Sequence, residues 1–242
     1  MKSTLITTIA IAIAGGLSLA MAGTASAATA SHPKPHKTKH PVTQITGAQL
    51  VKGLLPGSAF GTGTTTSGVT SSGKHLLSSK ALAPVSSQNC ADLLIDIPVF
   101  GQTALAEDSI DTSTLLGGLQ SVSQFANSSA AWSFYGQEKS KFNSCTSYSM
   151  ALKGDQSTGP LSLSIDLQSV SNTKVGKNYA FAVSQLAEVS DSLGDATFSI
   201  DTTVVADGTN VYTIWNSNDV DTRVPNSWLS SLISRTQALY KG

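Results

Sequence analysis

Between Leu161 and Gln168 the sequence reads LSLSIDLQ, so that Leu161, Leu163, Ile165 and Leu167 alternate with Ser162, Ser164, Asp166 and Gln168. Successive side chains of a strand point to opposite faces. This alternation therefore demands a strand with one face on a core and the other toward water. Three more strand-like runs follow at short intervals: Asn178 to Ala187, Ala196 to Ala206 and Thr209 to Asn216. Asp207-Gly208, between the last two, reads as a two-residue hairpin of type I′, which needs positive φ at both positions. Thr103 to Asp111 and Gly118 to Ala126 predict two earlier strands.

Helices bracket these strands. Thr46 followed by Gln49 has the form of a capping box, and LVKGLLP continues it as a short helix that ends at Pro56. Ser87 caps a second helix, SSQNCADLLIDI, with Cys90, Leu93, Leu94 and Ile97 on one face, and Pro98 stops it. Asn127 or Ser128 caps a central helix. Its Ala131, Phe134, Tyr135, Glu138 and Phe142 form a core-facing stripe interrupted once, by Glu138. Pro225-Asn226-Ser227 leads into a last helix with Trp228, Leu229, Leu232, Ile233, Thr236 and Tyr240 on one face. The Gly/Thr/Ser stretch from Gly57 to Lys80 reads as a low-complexity loop with one edge strand around Phe60. The sum is an α+β fold: an antiparallel β-sheet with helices packed on it.

The chain opens with Lys2, an apolar run from Leu5 to Met21 and then AGTASAATA. These are the three parts of a secretory signal, with cleavage expected after Ala27 or, second, after Ala30. Gly15-Gly16 breaks the apolar run, which argues against a permanent anchor, and no cysteine follows it to carry a lipid. Residues 1–27 are read as a signal peptide, 28–44 as a disordered Pro/Lys/His spacer and 45–242 as a single domain. The expected location is secreted (extracellular), with association with the cell wall left open. Cys90 and Cys145 are the only cysteines, and two cysteines in an exported chain are expected to pair. A disulfide closing a loop of about 55 residues stabilises by about 4 kcal/mol in the chain-entropy model.

Charge is divided unevenly along the chain. Thr29 to Ala91 holds six lysines and no acid, whereas from Asp92 onward there are fifteen acids against eight basic residues. A basic arm on an acidic domain can hold a protein near anionic cell-wall polymers or lipid head groups; the simpler reading, and the favoured one, is that sparse lysines keep a Ser/Gly/Thr tail soluble. His32, His36 and His40 recur every fourth residue, but prolines 33, 35 and 41 prevent the helix that would align them for a metal.

A catalytic set is hard to assemble. Outside the signal and spacer the single histidine is His75, in the loosest loop, and no G-x-S-x-G elbow exists for a serine nucleophile. The folded part has no Cys/His/acid cluster for zinc and no phosphate loop, and its acidity argues against nucleic acid. No catalytic residue, metal site or cofactor is assigned. Glu107-Asp108 with Asp111, and Asp219 with Asp221, are the remaining acidic groups. Paired carboxylates suit glycosidase chemistry or calcium, although hydrated surface loops explain both groups more simply. Among the tryptophans, Trp132 and Trp228 read as core or edge. Trp215, at a strand end before a polar loop, is the best candidate for one wall of a cleft, with Tyr212 beside it in sequence.

From about Ile45 to Tyr240 the chain resembles the PknH-like extracellular sensor domain. That family lies outside actinobacterial transmembrane serine/threonine kinases and also occurs as free-standing secreted or lipid-anchored proteins. The resemblance rests on Leu50 with Gly53-Leu54-Leu55-Pro56, on Cys90 opening a helix and on a strand ending Gln124-Phe125-Ala126. A helix with Ala130-Ala131 and Phe134 then closes on Cys145, and the meander and terminal helix follow in order. It implies an α+β sandwich with a cleft that senses an extracellular ligand. The family commonly carries two disulfides, whereas here only one is available. The resulting expectation is a non-enzymatic, sensor-like domain that binds a small apolar or amphipathic, or envelope-derived, ligand. An envelope or membrane-protein partner would receive the signal. The alternatives are a hydrolase of wall polymers using carboxylates such as Glu107 or Asp108, and a protein-interaction module.

Overall fold

The computed structural model describes residues 44–71, 102–111, 117–152, 161–191, 194–218 and 223–241. Residues 1–43, His75, Cys90 with the helix expected around it, Asp219 and Asp221 lie outside the described residues, so the expected signal peptide does too, as does all of the expected spacer but Gln44.

The Thr46 capping box forms as expected. Its hydroxyl accepts from the Gln49 N–H at 3.2 Å, and the Gln49 side chain accepts from the Thr46 N–H at 2.8 Å. The helix it starts, α1 (Gly47–Leu50), is only one turn long. A 3₁₀ turn, Val51–Gly53, extends it, and Leu54 is already extended two residues before Pro56. A second 3₁₀ turn covers Gly57–Ala59.

Eight strands among the described residues form one sheet: β1 (Thr65–Ser71), β2 (Gln102–Asp111), β3 (Gly118–Phe125), β4 (Ser147–Leu152), β5 (Leu161–Val175), β6 (Asn178–Asp191), β7 (Gly194–Asp207) and β8 (Asn210–Asn218). Their order is β1-β2-β3-β8-β7-β6-β5-β4, and each neighbouring pair is antiparallel. The chain lays down β1 to β3 as one meander and then crosses on α2 (Ser128–Ser144). It starts again at the far edge with β4 and returns strand by strand until β8 zips onto β3. The last helix, α3 (Asn226–Leu239), follows.

Helices cover both faces. On one face, α1, the 3₁₀ turns and α3 bury Leu50, Leu54, Leu229 and Leu232 against Ala106, Val122 and Ile214 of the sheet. On the other, Ala131, Phe134 and Tyr135 of α2 pack on Phe125, Phe181, Val204 and Val211. The α2 stripe is the one its sequence predicts, Glu138 included, which is 4 % exposed and paired with Lys141 at 3.1 Å. Asn127 is the cap, its side-chain oxygen accepting from Ala130 N–H at 2.9 Å. No described helix is long and apolar enough to cross a membrane.

Three expectations need correction. The edge strand of the Gly/Thr-rich stretch is Thr65–Ser71, not a segment around Phe60. Phe60 is 7 % exposed and stacks edge-on against Trp228, with ring centroids 4.9 Å apart. The clearest strand does not stop at Gln168 but runs on to Val175. Its pairing with β6 slips between Leu167 and Ser169, so the extra residue of a bulge flips the phase and the alternation ends while the strand continues. Finally, Asp207 pairs with Asn210, so the β7–β8 turn is Gly208-Thr209 rather than Asp207-Gly208. Only Gly208 has positive φ there, at +61°, which is the demand of a type II′ turn and not of type I′.

Cys145 ends α2, is 1 % exposed, and its N–H donates to Lys141 O at 3.0 Å. Because Cys90 falls outside the described residues, so does the expected bridge.

Candidate functional site

Two glutamines four residues apart on β3 fix the segments that build the site. Both point to the α1/α3 face and both are fully buried. Gln120 Nε2 donates to Leu55 O at 2.8 Å, and Leu55 N–H donates to Gln120 Oε1 at 2.8 Å. The side-chain amide thus acts as a strand neighbour would, satisfying both backbone groups of a residue that has no strand beside it. Gln120 Nε2 also lies 3.3 Å from Asp108 Oδ2. Gln124 Oε1 accepts from Ile45 N–H at 3.1 Å, and its amide nitrogen donates to the Tyr240 hydroxyl. Tyr240 in turn donates to Asn210 Oδ1 at 3.0 Å, and Asn210 Nδ2 donates to the Tyr212 hydroxyl at 3.3 Å. The start of the described chain and its final helix are therefore pinned to the same strand.

The pinned segments border a shallow, open cleft of about 510 Å³. Leu55, Pro56 and Ala59 form its apolar side, and the Ser230, Ser231 and Ser234 hydroxyls with Arg235 form its polar side. The polar side is the outward face of α3, whose inward face carries Leu229, Leu232, Ile233 and Thr236. Arg235 Nε donates to Leu54 O and its Nη2 donates to Lys52 O, each at 3.2 Å. Those bonds cap carbonyls at the end of the 3₁₀ turn and hold the guanidinium at the cleft. A guanidinium has five N–H donors, so three remain to meet a carboxylate or phosphate. The close approach that shapes the cleft requires Gly53. A Cβ there would lie 2.9 Å from Thr236 Oγ1 and 3.1 Å from Thr236 Cα.

The residues singled out from sequence fall elsewhere. Tyr212 and Trp215 sit three apart on β8 and so point to opposite faces of the sheet. Tyr212 is fully buried under the α1/α3 layer; burial, the neighbouring Asp207 charge and Tyr240 push its hydroxyl pKa strongly upward, against hydrogen bonds that lower it. Trp215 is half-buried on the α2 face, opposite Leu119 of β3 and Thr202 of β7. The structure does not bring the two into one site.

Glu107 and Asp108 are not in a hydrated surface loop: they are adjacent in the body of β2, point to opposite faces, and Asp108 is buried. They cannot flank one bond. The other buried aspartate, Asp201, lies on β7, three strands from Asp108, which at the usual strand spacing is about 14 Å, wider than glycosidase pairs span. Trp228 sits near the cleft through its contact with Phe60, as a core-edge residue.

Arg235 and the three serines carry no motif, which is why sequence reasoning passes over them. The available signal was the complement of the apolar stripe on α3: a hydroxyl-rich outward face ending in an arginine.

No protein-family model matches the chain, and no curated protein matches it significantly. Among solved structures, the extracellular domain of PknH from Mycobacterium tuberculosis aligns with a TM-score of 0.55 at 14% identity, over 83% of this chain and 100% of that one. An uncharacterised protein from Mycobacterium smegmatis aligns at a TM-score of 0.37 and 11% identity, over 78% of this chain and 96% of its own. The first alignment bears out the resemblance read from the sequence at the level of fold: the chain has the fold of the PknH extracellular domain.

Proposed function

We propose that this protein is a secreted, sensor-like domain that binds a small amphipathic ligand with an anionic head in the cleft between Leu55-Pro56 and α3. The observation that carries the reading is the composition of that cleft. Leu55, Pro56 and Ala59 offer apolar contact along one side, and Arg235, with three unused donors, stands on the other. An acyl or isoprenoid chain ending in a carboxylate or phosphate matches both. Likeness of fold to a domain that works outside the cell supports the location, as does the signal-like sequence of residues 1–27. On this reading the Pro/Lys/His spacer of residues 28–44 precedes a single sensor-like domain, and an envelope or membrane protein receives the signal.

Native mass spectrometry of the mature protein, purified from the supernatant of the culture that secretes it, tests the site. The expected result is a reproducible non-covalent adduct that is lost on unfolding, strongly reduced in Arg235→Ala and partly kept in Arg235→Lys. A clean apo mass overturns the reading. An adduct indifferent to Arg235 but sensitive to Trp215→Ala would move the ligand to the opposite face.

Cys90 and Cys145 form the disulfide on this proposal, since both belong to an exported chain and Cys145 is buried at the end of α2. Alkylation of the denatured protein should add no label without reductant and two labels with it. Two labels without reductant would dismiss the bridge.

A further inference from the structure

From Asp92 onward the chain has only eight basic residues, and three of them, Lys139, Lys174 and Lys177, converge on the corner where α2 meets the β5–β6 hairpin. Lys174 and Tyr179 are cross-strand partners, and the Lys174 Nζ lies 5.5 Å from the centre of the Tyr179 ring. Tyr179 is 46 % exposed, the most exposed large apolar side chain among the described residues. Its ring meets half-buried Trp132 of α2 at 5.8 Å and 66°. Lys139, two helical turns beyond Trp132, donates to Asn172 Oδ1 at 2.6 Å, and Asn172 lies two residues before Lys174 on the same face of β5. Lys177 stands in the turn after Gly176. From the hairpin tip inward the order is Lys177, then Lys174 with Tyr179 and Trp132, then Asn172 with Lys139, so the two rings lie between lysines.

Among the described residues nothing acidic answers these lysines. No Asp or Glu occurs from Leu167 to Ala187, and the one acid of α2, Glu138, is buried and paired with Lys141. Among the described residues none of the three lysines is in an ion pair. The corner is thus a positive island on an acidic domain, with two amphipathic rings among its lysines.

Its chemistry selects among partners. A sugar platform presents ring faces side by side, whereas these rings meet at 66°. A protein interface favours arginine and a broad apolar centre and is poor in lysine. Tyrosine and tryptophan beside flexible lysines suit the headgroup layer of a bilayer, where the rings sit at the boundary and ammonium groups meet phosphates. We infer that this corner docks the domain onto an anionic lipid surface. Trp132 and Tyr179 lie at headgroup depth, and Lys139, Lys174 and Lys177 contact phosphates. The inference is independent of the ligand in the α3 cleft, which lies on the other face of the sheet.

The test is co-sedimentation of the mature chain with vesicles of phosphatidylglycerol and phosphatidylcholine, compared with phosphatidylcholine alone. Binding is expected only with the anionic lipid and should weaken as salt rises. Each lysine near such a surface contributes roughly fivefold, so the triple variant K139A/K174A/K177A should bind on the order of 100-fold more weakly. Tyr179→Ser should weaken it several-fold. Brominated lipid should quench tryptophan fluorescence in the parent chain and in K34A/K37A/K39A, but not in Trp132→Phe. The inference fails if no vesicle binding occurs, or if binding is lost in K34A/K37A/K39A and kept in the corner variant. It also fails if the corner lysines instead govern binding to a soluble anionic polysaccharide without vesicle partition.

Discussion

Gln120 occupies a position where an apolar residue would be expected, fully buried between β2 and β8 beneath the Leu55 segment. It is tolerated because its side-chain amide supplies one donor and one acceptor at the spacing of a peptide group, and Leu55 uses both. Gln120→Ala should therefore cost about 2–4 kcal/mol in urea denaturation, because it leaves a buried N–H and a buried C=O without partners. A loss below about 0.5 kcal/mol would mean that water replaces the amide. Gln120→Glu should fare no better, since a carboxylate cannot donate to Leu55 O and would face Asp108. Neither glutamine announces this role in the sequence. Gln124 appears there only as part of a strand-end motif, and what matters is a partner some eighty residues away, Ile45.

Legibility at the scale of elements follows sequence distance. The α2 helix, its Asn127 cap and its buried stripe depend on neighbours within a few residues, and all were readable. So was the capping box at Thr46. The short strand Ser147–Leu152 was passed over although Tyr148, Met150 and Leu152 alternate with Ser147, Ser149 and Ala151. Six residues directly after a helix are too few for period alone to identify a strand, and pairing with β5 fixes it. The continuation of β5 beyond Gln168 was hidden by the bulge, which moves the α2-facing side from odd to even positions, where Asn172 and Lys174 are polar and exposed. The cleft was invisible for a stronger reason: Arg235 and Leu54 are 181 residues apart in sequence. Close contact of the 3₁₀ turn with α3 is itself open to test through Gly53→Ala. The added methyl meets the Thr236 backbone as well as its hydroxyl, so rotamer change alone cannot relieve it. A loss of about 1–3 kcal/mol is expected by chemical denaturation. Unchanged stability would show that the turn is free to slide on the helix.

For the molecule as a whole, four of the five tyrosines are held in environments that resist ionisation. Burial pushes Tyr135 up to about 12, and it raises Tyr148, Tyr212 and Tyr240 against opposing hydrogen bonds. An unfolded tyrosine loses its proton near pH 10, so above that pH the native state holds protons that the unfolded state has released. The stabilisation is complete below the unfolded pKa and is lost as pH rises toward the folded values. Stability should be level through neutral pH and fall above about pH 10, with phenolate absorbance from these four rings appearing together with unfolding. Reversible ionisation of all four near pH 10, with the fold intact, would contradict this.

The order of the sheet also dictates when it can exist at all. The first meander, β1 to β3, ends in an open strand whose only later partner is β8, through pairs such as Gly118 with Asn216. Until residue 216 has emerged, β3 offers unpaired backbone groups along its inner edge and the second meander has nothing to close against. The ladder that joins the halves is of high contact order, which makes its formation slow and late. The sheet of such a chain is expected to close only after β8 is made. If the chain is exported as proposed above, that timing would suit passage across a membrane as an unfolded thread, with folding on the far side.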